Sequence, residues 1–155
     1  MKINRIVLVT ATLWIGAVAV SLAASAQMGT WKLNERKSQF SSKARTNLVT
    51  YSVAKGDMVK VDVEGVDRDS KPIHWSWIGK FDGKSYKVKH NPIAEMASYK
   101  MIDDRTKEIT MTKDGKTVAM TTVKVAKDGK SRTVTTTFTD AEGKKTTDKA
   151  FYDKM

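Results

Sequence analysis

The chain has 155 residues and a formal net charge of +11, and it contains no cysteine. The composition excludes a disulfide-stapled scaffold, a cysteine nucleophile and acylation of a lipoprotein-type cysteine. The length suits one domain with its own hydrophobic core. The positive charge would attract polyanions, but no basic run with interleaved aromatic residues occurs, so specific nucleic-acid binding is not expected.

Residues 1–26 have the pattern of a secretory signal peptide. Lys2 and Arg5 precede an apolar stretch over 6–20, and Ala24-Ser25-Ala26 has the small-residue pattern of a cleavage site. The alternative is an uncleaved membrane anchor, but the apolar stretch is shorter than the ~20 residues that a spanning helix needs. We predict a signal peptide over 1–26, a single mature domain over 27–155, no transmembrane anchor after cleavage, and a periplasmic or secreted location.

The rest of the chain alternates turn signals with short runs of β-branched and aromatic residues. The clearest run places Val59, Val61 and Val63 on one face of a strand, with charged residues between them. Asp-Gly pairs favour tight hairpins between such strands. About ten strands can be placed in this way, separated by turn signals at "KGD" (55–57), "DRDSKP" (67–72), "DGK" (82–84), "HNP" (90–92), "DDR" (103–105), "KDGK" (113–116 and 127–130) and "AEGK" (141–144).

Helices are predicted to be few and short. The longest connection, over 34–47, has room for one short helix over 35–40 with Phe40 packed inward, and Ile93 to Met96 have the pattern of a single helical turn. No helix is long enough to cover an open sheet, so the strands remove their edges by closing on themselves. The sequence therefore predicts an all-β fold, an antiparallel up-and-down β-barrel of about 8–10 strands with at most one or two short helices.

Motifs for catalysis or metal binding are absent from the sequence. His74 and His90 are the only imidazoles and have no carboxylate or cysteine at metal-ligand spacing. No G-x-S-x-G elbow or glycine-rich phosphate loop occurs. The paired aspartates, at 67 and 69 and at 103 and 104, lie in turn contexts. We predict no catalytic residue, no metal and no cofactor, and we expect that the protein is not an enzyme.

The aromatic residues are more informative. Trp75 and Trp77 share a face because they are two residues apart on one strand. Together with tyrosines and hydroxyl residues from other strands, they either fill the barrel or line a cavity. A barrel of eight or more strands is wide enough for a small ligand. We predict that Trp75, Trp77, Tyr99 and Tyr152 contact such a ligand.

Two functions are compatible with these features. The first is an exported binding protein that holds a small apolar or amphipathic molecule inside the barrel. The alternative is a non-enzymatic envelope interaction protein, whose basic outer surface contacts an anionic polymer, lipid headgroups or an acidic partner. Lysines at turns would supply that surface: Lys55, Lys84, Lys113, Lys116, Lys127, Lys130 and Lys144.

Short motifs at both ends of the domain resemble the calycin superfamily, the lipocalins and fatty-acid-binding proteins. "GTWKL" at 29–33 is similar to the Gly-x-Trp that opens their first strand, and "AFYDK" at 150–154 is similar to the closing strand of fatty-acid-binding proteins. The resemblance implies a ligand-binding barrel. The sequence also resembles small secreted bacterial proteins of unassigned function, which share "GTWKLN" (29–34), "GKFDGK" (79–84), "IDDRT" (102–106) and "DGKSRTVTTT" (128–137).

The resemblance also carries expectations about individual residues. It implies that Trp31 packs under an arginine of a late strand at the closed end of the barrel, and Arg132 is the expected partner. The Arg-x-Tyr that binds carboxylates in fatty-acid-binding proteins falls on Ala150 and Tyr152, so the tyrosine is kept and the arginine is lost. The connection after the first strand is too short for the two-helix lid of that family, which implies a more open pocket.

Overall fold

The computed structural model describes residues 25–155, so the predicted signal peptide lies outside the described residues except for Ser25 and Ala26. Ten antiparallel strands close into one barrel, in which each strand pairs with the next and β1 pairs with β10. The predicted all-β barrel is confirmed. The strands are β1 (Gly29–Leu33), β2 (Arg45–Val53), β3 (Val59–Val66), β4 (Pro72–Gly79), β5 (Asp82–Lys89), β6 (Met96–Met101), β7 (Thr106–Lys113), β8 (Lys116–Val125), β9 (Ser131–Thr139) and β10 (Lys145–Lys154).

Tight turns join most neighbouring strands, as the sequence predicts. Between β7 and β8, Asp114 and Gly115 both have positive φ angles, 50° and 72°. Two consecutive residues with positive φ angles form the type of tight turn whose twist matches the twist of the strands that it joins. The Asp-Gly pair therefore sets the register in which Lys113 pairs with Lys116.

The two predicted helical segments have different outcomes. The connection after β1 contains a short helix as predicted, but the 3-10 helix covers only Glu35–Lys37 and not 35–40, since Gln39 already pairs with Lys149 in a β-bridge. The helical turn predicted from Ile93 to Met96 is wrong, since Met96 already begins β6. The side-chain oxygen of Asn91 accepts the backbone N–H groups of Ile93 and Ala94, each at 2.9 Å, and this local turn replaces a helix.

The barrel interior follows the predicted alternation. Val61 pairs with Trp77 and Val63 pairs with Trp75 across β3 and β4. All four side chains are buried in the core. Because every second residue faces inward, the register of β3 decides which side chains of β4 meet inside the barrel.

One seam of the barrel has short backbone pairing. Only Ser76 and Trp77 of β4 have register partners on β5, whereas β3 and β4 pair along eight positions. An aromatic cluster of Trp77, Phe81, Tyr86 and Tyr99 packs across this seam, with centroid distances from Trp77 of 6.3, 5.7 and 4.0 Å, respectively. The indole N–H of Trp77 donates to the backbone oxygen of Ala97 at 3.1 Å. Side chains therefore supply much of the contact that backbone hydrogen bonds supply elsewhere.

Gly79 is the residue that lets this cluster pack closely. A Cβ at this position would overlap the indole of Trp77 and lie 2.7 Å from the ring of Tyr86. We expect Gly79→Ala to lower the free energy of unfolding by about 1–3 kcal/mol through overpacking. Urea denaturation measures the change, with Lys80→Ala at the exposed neighbouring position as the control, and equal midpoints for the two variants would contradict this account.

Candidate ligand-binding cavity

A cavity of about 360 Å³ lies inside the barrel. This volume falls within the range of small-molecule sites, and the lining is mainly aliphatic and aromatic. Eight of the ten strands contribute to the lining, β1 and β5 being the exceptions. The walls are formed mainly by Val49, Val61, Val63, Ile73, Trp75, Ile109, Met111, Ala119, Val123, Val134, Phe138 and Ala150.

Loops border one end of the cavity, which we call the mouth. The backbone N–H and the hydroxyl of Ser41 both donate to a carboxylate oxygen of Asp148, each at 2.6 Å. The guanidinium of Arg45 lies 3.9 Å from the ring centroid of Phe40. These contacts hold the connection between β1 and β2 against the rim, so the segment that replaces a lid has a defined position.

The opposite end of the cavity, its floor, is formed by Tyr51, Tyr99, Arg132 and Tyr152. Arg132 is 3% exposed and pairs in register with Tyr152. Its guanidinium carbon lies 4.8 Å from the ring centroid of Tyr152 and 5.3 Å from that of Tyr51, distances at which a cation is attracted to a ring. Among the described residues, Nε and Nη1 of Arg132 have no hydrogen-bond acceptor. The floor therefore presents a permanent positive charge with unused donors.

Trp31 closes the barrel behind Arg132. The guanidinium carbon lies 4.7 Å from the indole of Trp31, which is fully buried. The indole N–H donates to the backbone oxygen of Gln27 at 3.0 Å, and the side-chain N–H of Gln27 donates to the backbone oxygen of Arg105 at 2.9 Å. The first residues of the predicted mature chain thus form the closed end.

Lys107 is the least expected residue of the interior. Its side chain is 0% exposed, and Nζ lies 3.7 Å from the ring centroid of Tyr51. The rings of Phe81 and Tyr99 are 5.1 and 5.5 Å from the same nitrogen. Burial is the main reason why the pKa of Lys107 lies well below its ordinary value, and the positive charge of Arg132 lowers this pKa further. The described residues offer Nζ no hydrogen-bond acceptor.

Two floor tyrosines, Tyr99 and Tyr152, remain protonated at neutral pH. Burial raises the pKa of Tyr152 to about 12 and that of Tyr99 well above its ordinary value. The hydroxyl of Tyr152 donates to the backbone oxygen of Thr46 at 2.9 Å. Tyr99 and Tyr152 therefore add neutral hydroxyl groups to the floor and do not neutralise the charge of Arg132.

The residues predicted to contact a ligand do not all lie at the cavity. Trp75, Tyr99 and Tyr152 line the cavity. Trp77 does not, because its ring is packed into the aromatic cluster of the seam. Trp31 and Arg132 lie together at the closed end, and Arg132 in addition faces the cavity. A ligand contact by any of them remains a prediction.

Lys107 was missed by the sequence analysis, although a signal for it exists. In the run "TKEITMTK", Lys107, Ile109 and Met111 recur at every second position, which places all three on one face of β7. Lysine is almost never fully buried, so the residue type argued against extending the inward-facing pattern to Lys107. Asp148 follows the same rule on β10, where it shares a face with Ala150 and Tyr152.

Other predicted features concern the outer surface and metal sites. All seven turn lysines of the predicted basic surface are exposed, and their proposed anionic partner remains a prediction. Within residues 25–155, no group of three or more histidine and carboxylate side chains is placed to hold a metal ion. In the same part of the chain, no helix has the length and hydrophobicity needed to cross a membrane.

The fold and the cavity define a β-barrel of the kind that encloses small molecules. Its fold is similar to that of a solved fatty acid binding protein from Schistosoma mansoni in complex with arachidonic acid, with a TM-score of 0.56. The two share 17% sequence identity, and the match covers 84% of this chain and 97% of that chain. The likeness shows that the barrel has the calycin fold. Neither the protein-family models nor the curated proteins include a significant match to this sequence.

Proposed function

We propose that the protein is an exported, lipocalin-like, non-enzymatic binding protein that holds a small apolar or amphipathic molecule inside the barrel. The observation that carries this proposal is the cavity of about 360 Å³, with apolar walls and a buried arginine at its floor. Apolar walls with a few polar groups are typical of small-molecule sites, because the walls supply affinity and the polar groups fix orientation.

The positions of these groups support one orientation of the ligand. The apolar tail lies along the valine and tryptophan walls toward the mouth, and the polar end lies at Arg132. Position 150, which is arginine in the carboxylate motif of fatty-acid-binding proteins, is Ala150 here. The guanidinium comes instead from β9, where Arg132 is the register partner of Tyr152. The expected loss of an arginine beside this tyrosine is therefore compensated from the neighbouring strand.

The structural comparison supports the class of ligand. The Schistosoma mansoni protein of the same fold is in complex with arachidonic acid, an amphipathic molecule with a long apolar chain. A smaller ligand fits the present chain better, since about 360 Å³ lies near the lower end of the ~300–1,000 Å³ range for such cavities.

Export is part of the proposal and rests on the sequence of residues 1–26. A cut after Ala26 would make Gln27, which is buried at the closed end, the first residue of the exported chain. Intact mass measurement of protein recovered from outside the cytoplasm tests the cut: a mass matching residues 27–155 is expected, and the mass of the full chain would contradict it.

Filling the cavity should abolish binding of a neutral apolar probe. Ala119 is buried and lines the cavity, so Ala119→Phe places a ring inside the barrel. We expect N-phenyl-naphthylamine to bind the wild type with increased fluorescence, and the variant to bind at least ~10-fold more weakly because the ring occupies the volume that the probe needs.

The matched control is Met120→Phe, which adds a ring at the next position of β8 on the exposed outer face. It should bind the probe as the wild type does. A wild type that shows no binding of this probe, or an Ala119→Phe variant that binds with unchanged affinity while folded by circular dichroism, would refute a ligand site inside the barrel.

A further inference from the structure

Two buried basic side chains share one aromatic ring beneath the cavity. Nζ of Lys107 lies 3.7 Å from the ring centroid of Tyr51, and the guanidinium carbon of Arg132 lies 5.3 Å from the same centroid. The two groups are therefore at most 9 Å apart. Like charges at this separation in a water-poor interior repel each other appreciably. An interior of this kind is unfavourable unless something compensates for the second charge.

The described part of the chain supplies no anion at this place. Its ion pairs join Arg45 to Glu35 and Lys60 to Asp62, and neither includes Lys107 or Arg132. The buried acid among these residues is Asp148, whose carboxylate accepts two hydrogen bonds from Ser41 at the mouth. It stands four residues along β10 from Tyr152, a separation of about 13 Å along the strand. Asp148 is thus too far away and already occupied.

We propose that Lys107 is a second cationic residue of the ligand site, and that it takes up a proton when the anionic group of an amphipathic ligand binds beside Arg132. This inference rests on the proposed function, and it specifies the ligand as one with an anionic group such as a carboxylate or sulfonate. Lys107 acts through the charge that it acquires, since its side chain lies behind Tyr51 and does not line the cavity.

The protonation state of Lys107 follows from its surroundings. In a barrel without an anion, an ammonium without a partner in the interior loses several kcal/mol of hydration, so the neutral amine is favoured. Burial and the charge of Arg132 hold the pKa of Lys107 well below its ordinary value. An anion beside Arg132 attracts the ammonium form and raises this pKa, so binding and protonation favour each other.

Other titratable groups lie near Lys107, and their contribution to proton uptake has to be separated from that of the lysine. The rings of Tyr51 on β2 and Tyr99 on β6 lie near Nζ, and Arg132 on β9 acts through its charge, with Tyr152 on β10 beside Arg132. Arginine keeps its proton throughout the accessible range. Burial raises the pKa of Tyr99 and Tyr152, and both stay protonated near neutral pH. Proton uptake that is lost in a variant without the Lys107 amine is therefore assigned to Lys107.

Calorimetric titration with anilinonaphthalene sulfonate tests the proposal. The sulfonate stays ionised at every pH used, so the probe itself contributes no protons. Titrations in two buffers of different ionisation enthalpy, from about pH 5.5 to about pH 9.5, give the number of protons taken up per probe. We expect a fraction of one proton to be taken up by the wild type. Affinity should rise about tenfold as the pH falls through the range in which Lys107 titrates, the size expected for charges at this separation.

Three variants assign the proton. Lys107→Met keeps the length of the side chain and removes the amine, so it should bind the sulfonate with no proton uptake and no pH dependence. Lys107→Arg keeps the charge at every pH and should also show no uptake, with affinity equal to or above that of the wild type at low pH. The matched control is Lys124→Met, in which the same change is made on the exposed outer face of β8, beside Val123 that pairs with Lys107. It should take up the same fraction of a proton as the wild type.

The outcomes distinguish this inference from the proposed function. If wild type binds both N-phenyl-naphthylamine and the sulfonate but takes up no proton, or if Lys107→Met still takes one up, the role of Lys107 is wrong and the ligand site stands. If neither probe binds, the ligand site itself is wrong. Inorganic sulfate alone should cause little uptake, and equal uptake with sulfate would show that a free anion, not an amphipathic ligand, is bound there.

Discussion

The Lys107→Met variant should be more stable than the wild type. The substitution replaces a buried amine that has no hydrogen-bond partner among the described residues with an apolar side chain of similar length. An unsatisfied buried polar group costs about 1–3 kcal/mol, and we expect the free energy of unfolding at neutral pH to rise by at least this amount. For a domain of this size, each kcal/mol raises Tm by roughly 3–5 °C.

The gain should depend on pH in a defined direction. In the unfolded chain Lys107 has a pKa of about 10.4 and is protonated at neutral pH, whereas burial depresses its pKa in the folded barrel. Between the folded and the unfolded pKa, the unfolded state therefore binds more protons than the folded state, and Lys107 makes the stability of the wild type rise with pH. The advantage of Lys107→Met should shrink as the pH rises toward about 10.4, where the unfolded lysine also becomes neutral.

Urea denaturation at several pH values measures both effects. The difference between wild type and variant is the relevant quantity, because other lysines and tyrosines titrate in both proteins. Lys124→Met on the outer face should change stability by no more than about 0.5 kcal/mol at any pH. A Lys107→Met variant that is less stable than the wild type would mean that the ammonium is well compensated in the unliganded barrel by the rings of Tyr51, Phe81 and Tyr99.

A stabilising substitution at Lys107 has a functional meaning. Natural proteins retain unfavourable buried groups where activity needs them, so a residue whose removal stabilises the fold is a candidate for a binding role. Lys107 and Arg132 together make the interior unfavourable without an anion and favourable with one. Stability and ligand affinity should then change in opposite directions on Lys107→Met, a pattern that a purely structural lysine would not produce.

Much of the barrel follows from local sequence patterns. The alternation of Val59, Val61 and Val63 and the spacing of Trp75 and Trp77 predicted the observed pairing of β3 with β4. The turn signals gave the number of strands, and the lack of long helices required closure. The error at 93–96 arose because an Asn91 side chain that caps two backbone N–H groups imitates the start of a helix in sequence.

Less of the site could be predicted from the sequence. The alternation of residues shows which side chains face inward, but it does not show how far along the barrel axis each of them lies. Trp75 and Trp77 share a face, yet only Trp75 reaches the cavity. Arg132 was placed under Trp31 through the resemblance to calycins, but its access to the cavity depends on how far β9 is shifted against β10. To predict that Lys107 is buried, the alternation along β7 would have had to be given more weight than the general rule that lysines face water.

Trp77→Ala should cause the largest loss of stability among the changes considered. Its indole is 1% exposed, contacts three other rings of the aromatic cluster and donates to Ala97. Replacing a buried tryptophan by alanine costs about 3–5 kcal/mol, and we expect the upper part of this range because few backbone pairs hold β4 to β5. Urea denaturation gives the loss, and hydrogen exchange should show faster exchange in β5 than in β8.

Trp75→Ala is the matched comparison, since the same residue type is removed two positions away on the same face. Trp75 borders the cavity, so part of its ring lacks packing partners and its removal should cost less stability than that of Trp77. The effects on binding should be reversed: N-phenyl-naphthylamine should bind Trp75→Ala more weakly and Trp77→Phe, which keeps a ring in the cluster, with nearly unchanged affinity. Two results together would contradict this account: equal stability losses for the two alanine variants, and equal losses of probe binding for Trp75→Ala and Trp77→Phe. The two tryptophans would then form one site, as their spacing alone suggests, and the seam would have no separate role.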